Sequence, residues 1–241
     1  MGNVAGYRRK FEMFETLLIT LVPAAVTVLG AAFATWRRPN ALMTSALQHF
    51  AAGVVFAAAA VEILPNLKHA GSVWPVVIGG GAGLLVMLAI EELGRRTKGQ
   101  TGLITLIAVD VLIDGLVLGL GFAAGEKAGI LLTVALTLEV LFLGLALSTE
   151  LLEEAMPAAR IIAITAAIAL LLPIGALLAA PIATLSPAIV KGFFAFGLIA
   201  LLYLVTEELL VEAHEVPELP WITAMFFVGF LLLFLLEEAI A

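Results

Sequence analysis

Eight long apolar runs dominate this sequence and limit the folds open to it. A membrane-spanning helix needs about 20 mostly apolar residues. Eight segments meet that length, at roughly 13–36, 41–66, 72–94, 102–123, 128–152, 159–183, 187–212 and 220–239. Strands of a membrane β-barrel would be about ten residues long with alternating polarity, and these segments do not alternate. We therefore predict an all-α polytopic membrane protein with eight transmembrane helices in a single domain, residues 1–241.

The composition also indicates a membrane protein, and it argues against several kinds of site and partner. Of 241 residues, 63% are hydrophobic and 13% charged, whereas soluble domains average about 25% charged residues. The absence of cysteine excludes disulfides, thiolate metal sites and thiol catalysis. A net charge of −7 is not the signature of a nucleic-acid-binding protein. The expected surroundings are a lipid bilayer, and a homodimer is compatible with the sequence.

Basic residues in the short loops predict the orientation, because they collect on the cytoplasmic side. The first, third and fifth loops contain six of them, namely Arg37, Arg38, Arg95, Arg96, Lys98 and Arg160. The second, fourth and sixth loops contain Lys68, Lys127 and Lys191. This places both termini outside the cytoplasm of a prokaryotic cytoplasmic membrane, although the N-terminal Arg8, Arg9 and Lys10 count the other way.

Similarity between two parts of the sequence predicts an internal repeat. Segments 2 and 7 each contain an aliphatic run that ends in a glutamate, and a histidine follows seven residues later: Glu62 with His69, and Glu207 with His214. Segments 1 and 6 each contain an interior proline. We interpret segments 1–3 and 6–8 as inverted repeats around the 4–5 pair, a 3+2+3 arrangement in which transporters place a site at the repeat interface. The alternative is that apolar helices resemble each other by composition.

Three acids lie near the middle of segments 4 and 5. Asp110 and Asp114 are four residues apart and share a helix face, and Glu139 lies at similar depth in the next segment. An intramembrane carboxylate costs about 3 kcal/mol even on the lenient insertion scale, so three together indicate a polar site. An all-oxygen cluster suits a divalent cation and favours harder metals such as Mn²⁺ or Mg²⁺. The alternative is a protonated structural or proton-relay cluster.

His49 lies about nine residues into segment 2, deep enough to need a polar partner. It could be a further ligand or a proton acceptor near the acids. A lone intramembrane histidine can equally serve as an interhelical hydrogen-bonding group.

Further acids lie towards the segment ends. Glu62 could gather cations at an entrance, or simply snorkel to the interface. The opposite side would hold a cluster that concentrates cations along an exit path: Glu150, Glu207, Glu208, Glu212 and His214. Charged helix ends also occur merely for solubility, so both interpretations stay open.

The chain resembles the ZIP (Zrt/Irt-like) family of divalent metal transporters. The strings FAAGVVFAAAAVEILP and FFAFGLIALLYLVTEELLVEAHE are similar to the family's second and seventh helices. In the family's fourth-helix motif, His-Asn-x-Pro-Glu-Gly, Asp110 stands at the histidine, Asp114 at the acid and Gly115 at the glycine. In the fifth-helix motif, Glu139 takes the first position and Leu143 the second acid.

The departures from these motifs indicate one metal site in place of the family's two-metal centre. Val111, Val140 and Leu143 replace ligand types, Ile113 and Phe142 replace prolines, and segment 6 has no acid. What the resemblance implies is a single site of Asp110, Asp114, Glu139 and His49. It also implies uptake of a zinc-, iron- or manganese-class cation into the cytoplasm by alternating access. The cation is the substrate, and we expect no prosthetic group.

A proton-linked carrier, or a metal-sensing membrane protein that moves no metal, is the alternative. We do not expect an enzyme, because the sequence contains no HExxH motif. Two aspartates on one helical turn also fit poorly to opposed catalytic aspartates.

Overall fold

The computed structural model describes residues 2–37, 39–68, 72–97, 99–217 and 219–240, with side chains from residue 17 onward. Within these ranges the chain is helical and contains no strand. Eight helices are long and apolar enough to cross a membrane. The prediction of an all-α polytopic membrane protein is therefore confirmed. Arg38, His69 and Lys98 lie outside the described residues.

We number the eight helices in chain order. They are α1 (Gly2–Trp36), α2 (Ala41–Leu67), α3 (Trp74–Arg96), α4 (Gln100–Ala124), α5 (Glu126–Glu153), α6 (Ala158–Ile182), α7 (Pro187–Ala213) and α8 (Pro220–Ile240). The central helices are α4 and α5, with 56% and 61% of their most apolar windows buried, against 11% and 17% for α3 and α8. The acid-bearing helices thus form the core, and α3 and α8 face outward.

Proline interrupts one helix and leaves another continuous. In α6 the regular helix stops at Ala169 and resumes at Leu171. Pro173 has no N–H to donate to the carbonyl of Ala169 four residues earlier, which accounts for the break at that turn. In α1, Pro23 is accommodated within an unbroken helix.

Two π-helical segments occur at corresponding places in the proposed repeats. One covers Ala59–Ile63 in α2 and the other Leu204–Leu209 in α7. A shift of 145 residues carries the start of the first onto the start of the second, and carries Glu62 onto Glu207. Short π-bulges are rare and occur frequently at functional sites, so the shared position supports a repeat rather than chance similarity.

The pattern of contacts between helices also follows the repeat. The four most extensive contacts are α2 with α8, α3 with α7, α1 with α5 and α4 with α6. In the repeat, α1, α2 and α3 correspond to α6, α7 and α8, and α4 corresponds to α5. The contact of α2 with α8 therefore corresponds to that of α7 with α3. The contact of α1 with α5 corresponds in the same way to that of α6 with α4. Two intervening helices invert the second repeat relative to the first, as predicted.

Close backbone contacts at four glycines follow the same symmetry. Between α4 and α6, a Cβ on Gly115 would lie 2.1 Å from the carbonyl oxygen of Leu172. A Cβ on Gly175 would lie 2.2 Å from that of Leu112. These distances leave no space for a side chain, so the two helices meet backbone to backbone.

The contact between α5 and α1 is the counterpart. A Cβ on Gly144 would lie 2.5 Å from the carbonyl oxygen of Thr27, and one on Gly30 would lie 2.8 Å from that of Leu141. Shifts of 29 residues from α4 to α5, and of 145 from α1 to α6, relate all four positions to those of the first contact. The central glycines therefore serve helix packing.

We predict that Gly229→Ala destabilises the fold. A Cβ at Gly229 would lie 2.1 Å from the carbonyl oxygen of Phe50, where α8 crosses α2. Overpacking of this kind costs about 1–3 kcal/mol and should lower the midpoint of thermal unfolding in detergent. The matched control is Gly81→Ala in α3, which would meet no atom within 4 Å. Its midpoint should stay level or rise, since alanine is the better helix former. Equal losses in both variants would contradict the proposed backbone contact.

Candidate metal site

The loop between α4 and α5 consists of Gly125 alone, so the two helices are antiparallel neighbours. Asp110 and Asp114 lie one turn apart on α4, and Glu139 lies at mid-length of α5. Their exposed fractions are 4%, 2% and 2%. One oxygen from each lies within 4.8 Å of the others. The sequence-predicted convergence of the three acids is therefore present.

Four oxygens of this acid cluster have no hydrogen-bond partner outside the cluster. They are Oδ2 of Asp110, Oδ2 of Asp114 and both carboxylate oxygens of Glu139. Buried polar atoms are normally paired, because an unpaired one carries its full desolvation penalty. Like charges at this distance also repel unless a cation or a shared proton neutralises them. The donor set, composed of oxygen only, fits a hard divalent cation.

The repeat symmetry explains why the site has three acids rather than four. The 29-residue shift carries Asp110 onto Glu139, but carries Asp114 onto Leu143. Leu143 lines the same cavity as Asp110 and Glu139. One of the four carboxylates of a two-fold arrangement is thus replaced by an apolar side chain, which fits a single cation better than a pair.

A cavity of about 20 Å³ adjoins the acids. Its lining includes Asp110 and Glu139 of the cluster and Glu208 and Glu212 of α7. Phe142, Leu143, Leu204 and Leu209 complete its wall. A water molecule needs roughly 10–15 Å³ of such space, so the cavity accommodates a particle of that size. The cavity is thus lined both by acids of the cluster and by acids near the end of α7.

The acids predicted for an exit path divide into two groups. Glu208 lies within electrostatic range of all three acids of the cluster. Glu150, exposed near the end of α5, lies within range of Glu212. Glu207, in contrast, is exposed and does not line the cavity. The structure thus brings Glu208, Glu212 and Glu150 to the same end of the molecule.

Glu62 lies at the other end of α2. It is half-buried in the π-helical segment, within electrostatic range of the Lys127–Glu237 ion pair. That pair joins the start of α5 to the end of α8 at 2.5 Å. At about 1.5 Å per residue, Glu62 stands about 20 Å along α2 from Gln48, the residue bonded to Glu212. Its predicted role at an entrance stays a prediction.

His49 does not belong to the group of three acids. Its Nδ1 lies 2.9 Å from the carbonyl oxygen of Ser45, and its ring lies 4.9 Å from that of His214, centroid to centroid. Gln48, which sequence reasoning missed, donates from Nε2 to Oε2 of Glu212 at 2.7 Å. An amide beside a histidine in an apolar segment was the available signal for this second polar cluster.

Neither the family models nor the curated proteins that were searched match this chain. The assignment of the site therefore depends on its own geometry. Three buried carboxylates on facing helices form a possible dication site, and the cavity beside them is also lined by Glu208 and Glu212.

We predict that Asp114→Asn abolishes stabilisation by a bound cation. A ligand at 100 times its Kd stabilises the folded state by about 2.7 kcal/mol, seen as a rise in the unfolding temperature on adding Mn²⁺. The isosteric amide removes a charged ligand without changing side-chain size. The control is Glu154→Gln, an exposed acid at the end of α5, which should keep the full Mn²⁺-induced shift. An undiminished shift in Asp114→Asn would exclude this residue as a ligand.

Proposed function

We propose that this protein transports a divalent metal cation, of the zinc, iron or manganese class, across the membrane towards the cytoplasm in the manner of the ZIP family. The observation that carries the proposal is the cluster of Asp110, Asp114 and Glu139, buried at mid-length of two facing helices with unpartnered oxygens. Ionisable groups at this depth are costly and are by default functional.

The position of the cluster favours transport over a purely structural role. It lies on the two central helices between inverted repeats, where transporters bind their substrates. A structural ion pair would place a basic group against the acids, yet no salt bridge among the described residues involves any of the three. A cation that binds reversibly would neutralise the charge of the three acids and coordinate their unpartnered oxygens.

The acid-lined cavity supports a direction for release. Glu208 and Glu212 extend from the cluster towards the end of α7 and the start of α2. In the orientation predicted from the basic loops, this end faces the cytoplasm. Carboxylates along such a path concentrate cations and lower the barrier for a dication that leaves the site.

We predict that Asp114→Asn and Glu139→Gln each abolish metal uptake. Removing either carboxylate takes away one of the three charged ligands proposed for the cation. The measurement is uptake of radiolabelled Zn²⁺, Fe²⁺, Mn²⁺ and Mg²⁺ into proteoliposomes. Glu238→Gln, an exposed acid at the end of α8, is the matched control and should retain uptake.

Unchanged fluxes of every metal in both variants would show that the site is assigned wrongly. Saturable binding without flux of any metal would favour the alternative, a metal-sensing membrane protein. A flux that follows the pH gradient and ignores the metal would favour a proton-linked carrier.

We predict that Glu208→Gln slows uptake without removing the site. Glu208 lines the cavity but is not one of the three clustered acids, so its loss should lower the maximal rate more than the affinity. Initial rates in proteoliposomes and equilibrium binding by calorimetry separate the two effects. Glu207→Gln, its exposed neighbour outside the cavity, should leave both unchanged. Loss of equilibrium binding in Glu208→Gln would make Glu208 a ligand instead.

A further inference from the structure

An ion pair joins the start of α5 to the end of α8. Nζ of Lys127 lies 2.5 Å from Oε1 of Glu237, and the two side chains are 33% and 21% exposed. The other ion pairs between described residues lie within the last turns of α3. Among the described residues, Lys127 and Glu237 are therefore the ion pair that links a central, acid-bearing helix to an outer helix.

This ion pair connects helices that otherwise pack on different partners. α8 packs chiefly on α2, where a Cβ on Gly53 would lie 1.9 Å from the carbonyl oxygen of Phe226. α5 packs chiefly on α1 and on α4, to which the single residue Gly125 joins it. The ion pair thus ties the α2–α8 pair of helices to the α4–α5 pair.

Apolar side chains fill the bundle next to this ion pair. Ile63, which follows Glu62 in α2, has an exposed fraction of 1%, and Leu131, one turn after Lys127 in α5, has 0%. Both belong to the same apolar core cluster. The ion pair is partly exposed, so it lies at the edge of this packing, at the end of the bundle to which α2 runs.

Two acids of the α2–α8 pair lie near the single positive charge of Lys127. Glu237 forms the ion pair, and Glu62 lies within electrostatic range of both members of it. Separating α5 from α2 and α8 would leave both acids without this charge. The attraction therefore opposes separation of the two helix pairs at this end, in addition to the apolar packing.

We propose that the Lys127–Glu237 ion pair is a latch that holds this end of the bundle closed, and that the packing between α2 and α5 becomes accessible to water when the pair separates. A partly exposed ion pair shifts an equilibrium by about two- to fivefold. Such a latch favours the closed form and can still be released. Passage of a cation through the opened end rests on the proposed function, whereas closure by the ion pair does not.

The experiment uses single cysteines, because the natural sequence contains none. The probes are Ile63→Cys and Leu131→Cys, labelled with a water-soluble maleimide in the full-length protein in proteoliposomes. Lys127→Gln should raise both labelling rates about two- to fivefold. Glu237→Gln should raise them less, because a second acid remains near the lysine. Lys68→Gln, which removes an exposed charge at the same end of the bundle, is the matched control and should leave both rates unchanged.

A third probe distinguishes local opening from unfolding. Ser148 is fully buried near the other end of α5, and labelling of Ser148→Cys should stay at the wild-type rate in every variant. An equal rise at this probe would mean that the whole bundle loosens, and would overturn the latch. The charge-swapped variant, Lys127→Glu with Glu237→Lys, should restore the wild-type rates at Ile63→Cys, because the pair forms again with opposite polarity.

Unchanged labelling of both probes in Lys127→Gln would overturn the proposal, and so would a charge-swapped variant labelled as fast as Lys127→Gln. Uptake of radiolabelled metal by the wild-type protein tests the proposed function separately. Uptake together with unchanged labelling would leave the proposed function standing and the latch wrong. Faster labelling in Lys127→Gln, in a protein that moves no metal, would do the reverse.

Discussion

The burial of three carboxylates at the centre of an apolar bundle is the constraint on which the rest of this structure depends. Each acid can stay in the interior only if lipid is kept away from it and a cation or proton can reach it. The backbone contacts at Gly115 and Gly144 meet the first requirement, because they press α6 against α4 and α1 against α5. The second requirement is addressed by the cavity lined by Asp110, Glu139 and Glu208, which leaves space of about the size of one water beside the acids.

The features that follow from local sequence were predictable, and those that depend on helix register were not. Span length placed the eight helices, and the single-residue loop at Gly125 made the convergence of Asp110 and Glu139 nearly unavoidable. The position of His49 along α2 was predictable, but the direction of its side chain around the helix axis was not. Its neighbour is set by the bonds from Ser45 and Gln48 to α7, more than 160 residues away, and no local pattern encodes such a pairing.

The helices are symmetric, whereas the polar groups are not. The repeat relates the glycine contacts of α4 with α6 to those of α5 with α1, and it relates the most extensive helix pairs of the two halves. Within this frame Leu143 stands where symmetry would place a partner for Asp114. Side chains can diverge in this way because helix packing is carried by glycines and main-chain atoms, which leaves the lining of the site to vary without loss of the fold.

The same asymmetry extends along the path beyond the site. The 145-residue shift that relates α2 to α7 carries Ile63 onto Glu208 and Leu67 onto Glu212. Ile63 and Leu67 have exposed fractions of 1% and 9%, so the half-path through α2 is filled with apolar side chains where the half-path through α7 is acidic. A dication would lose its ligands on crossing the apolar half, at a far higher cost than along the acidic half. Under the proposed transport function, passage of a cation along the α2 half would therefore require this apolar packing to open.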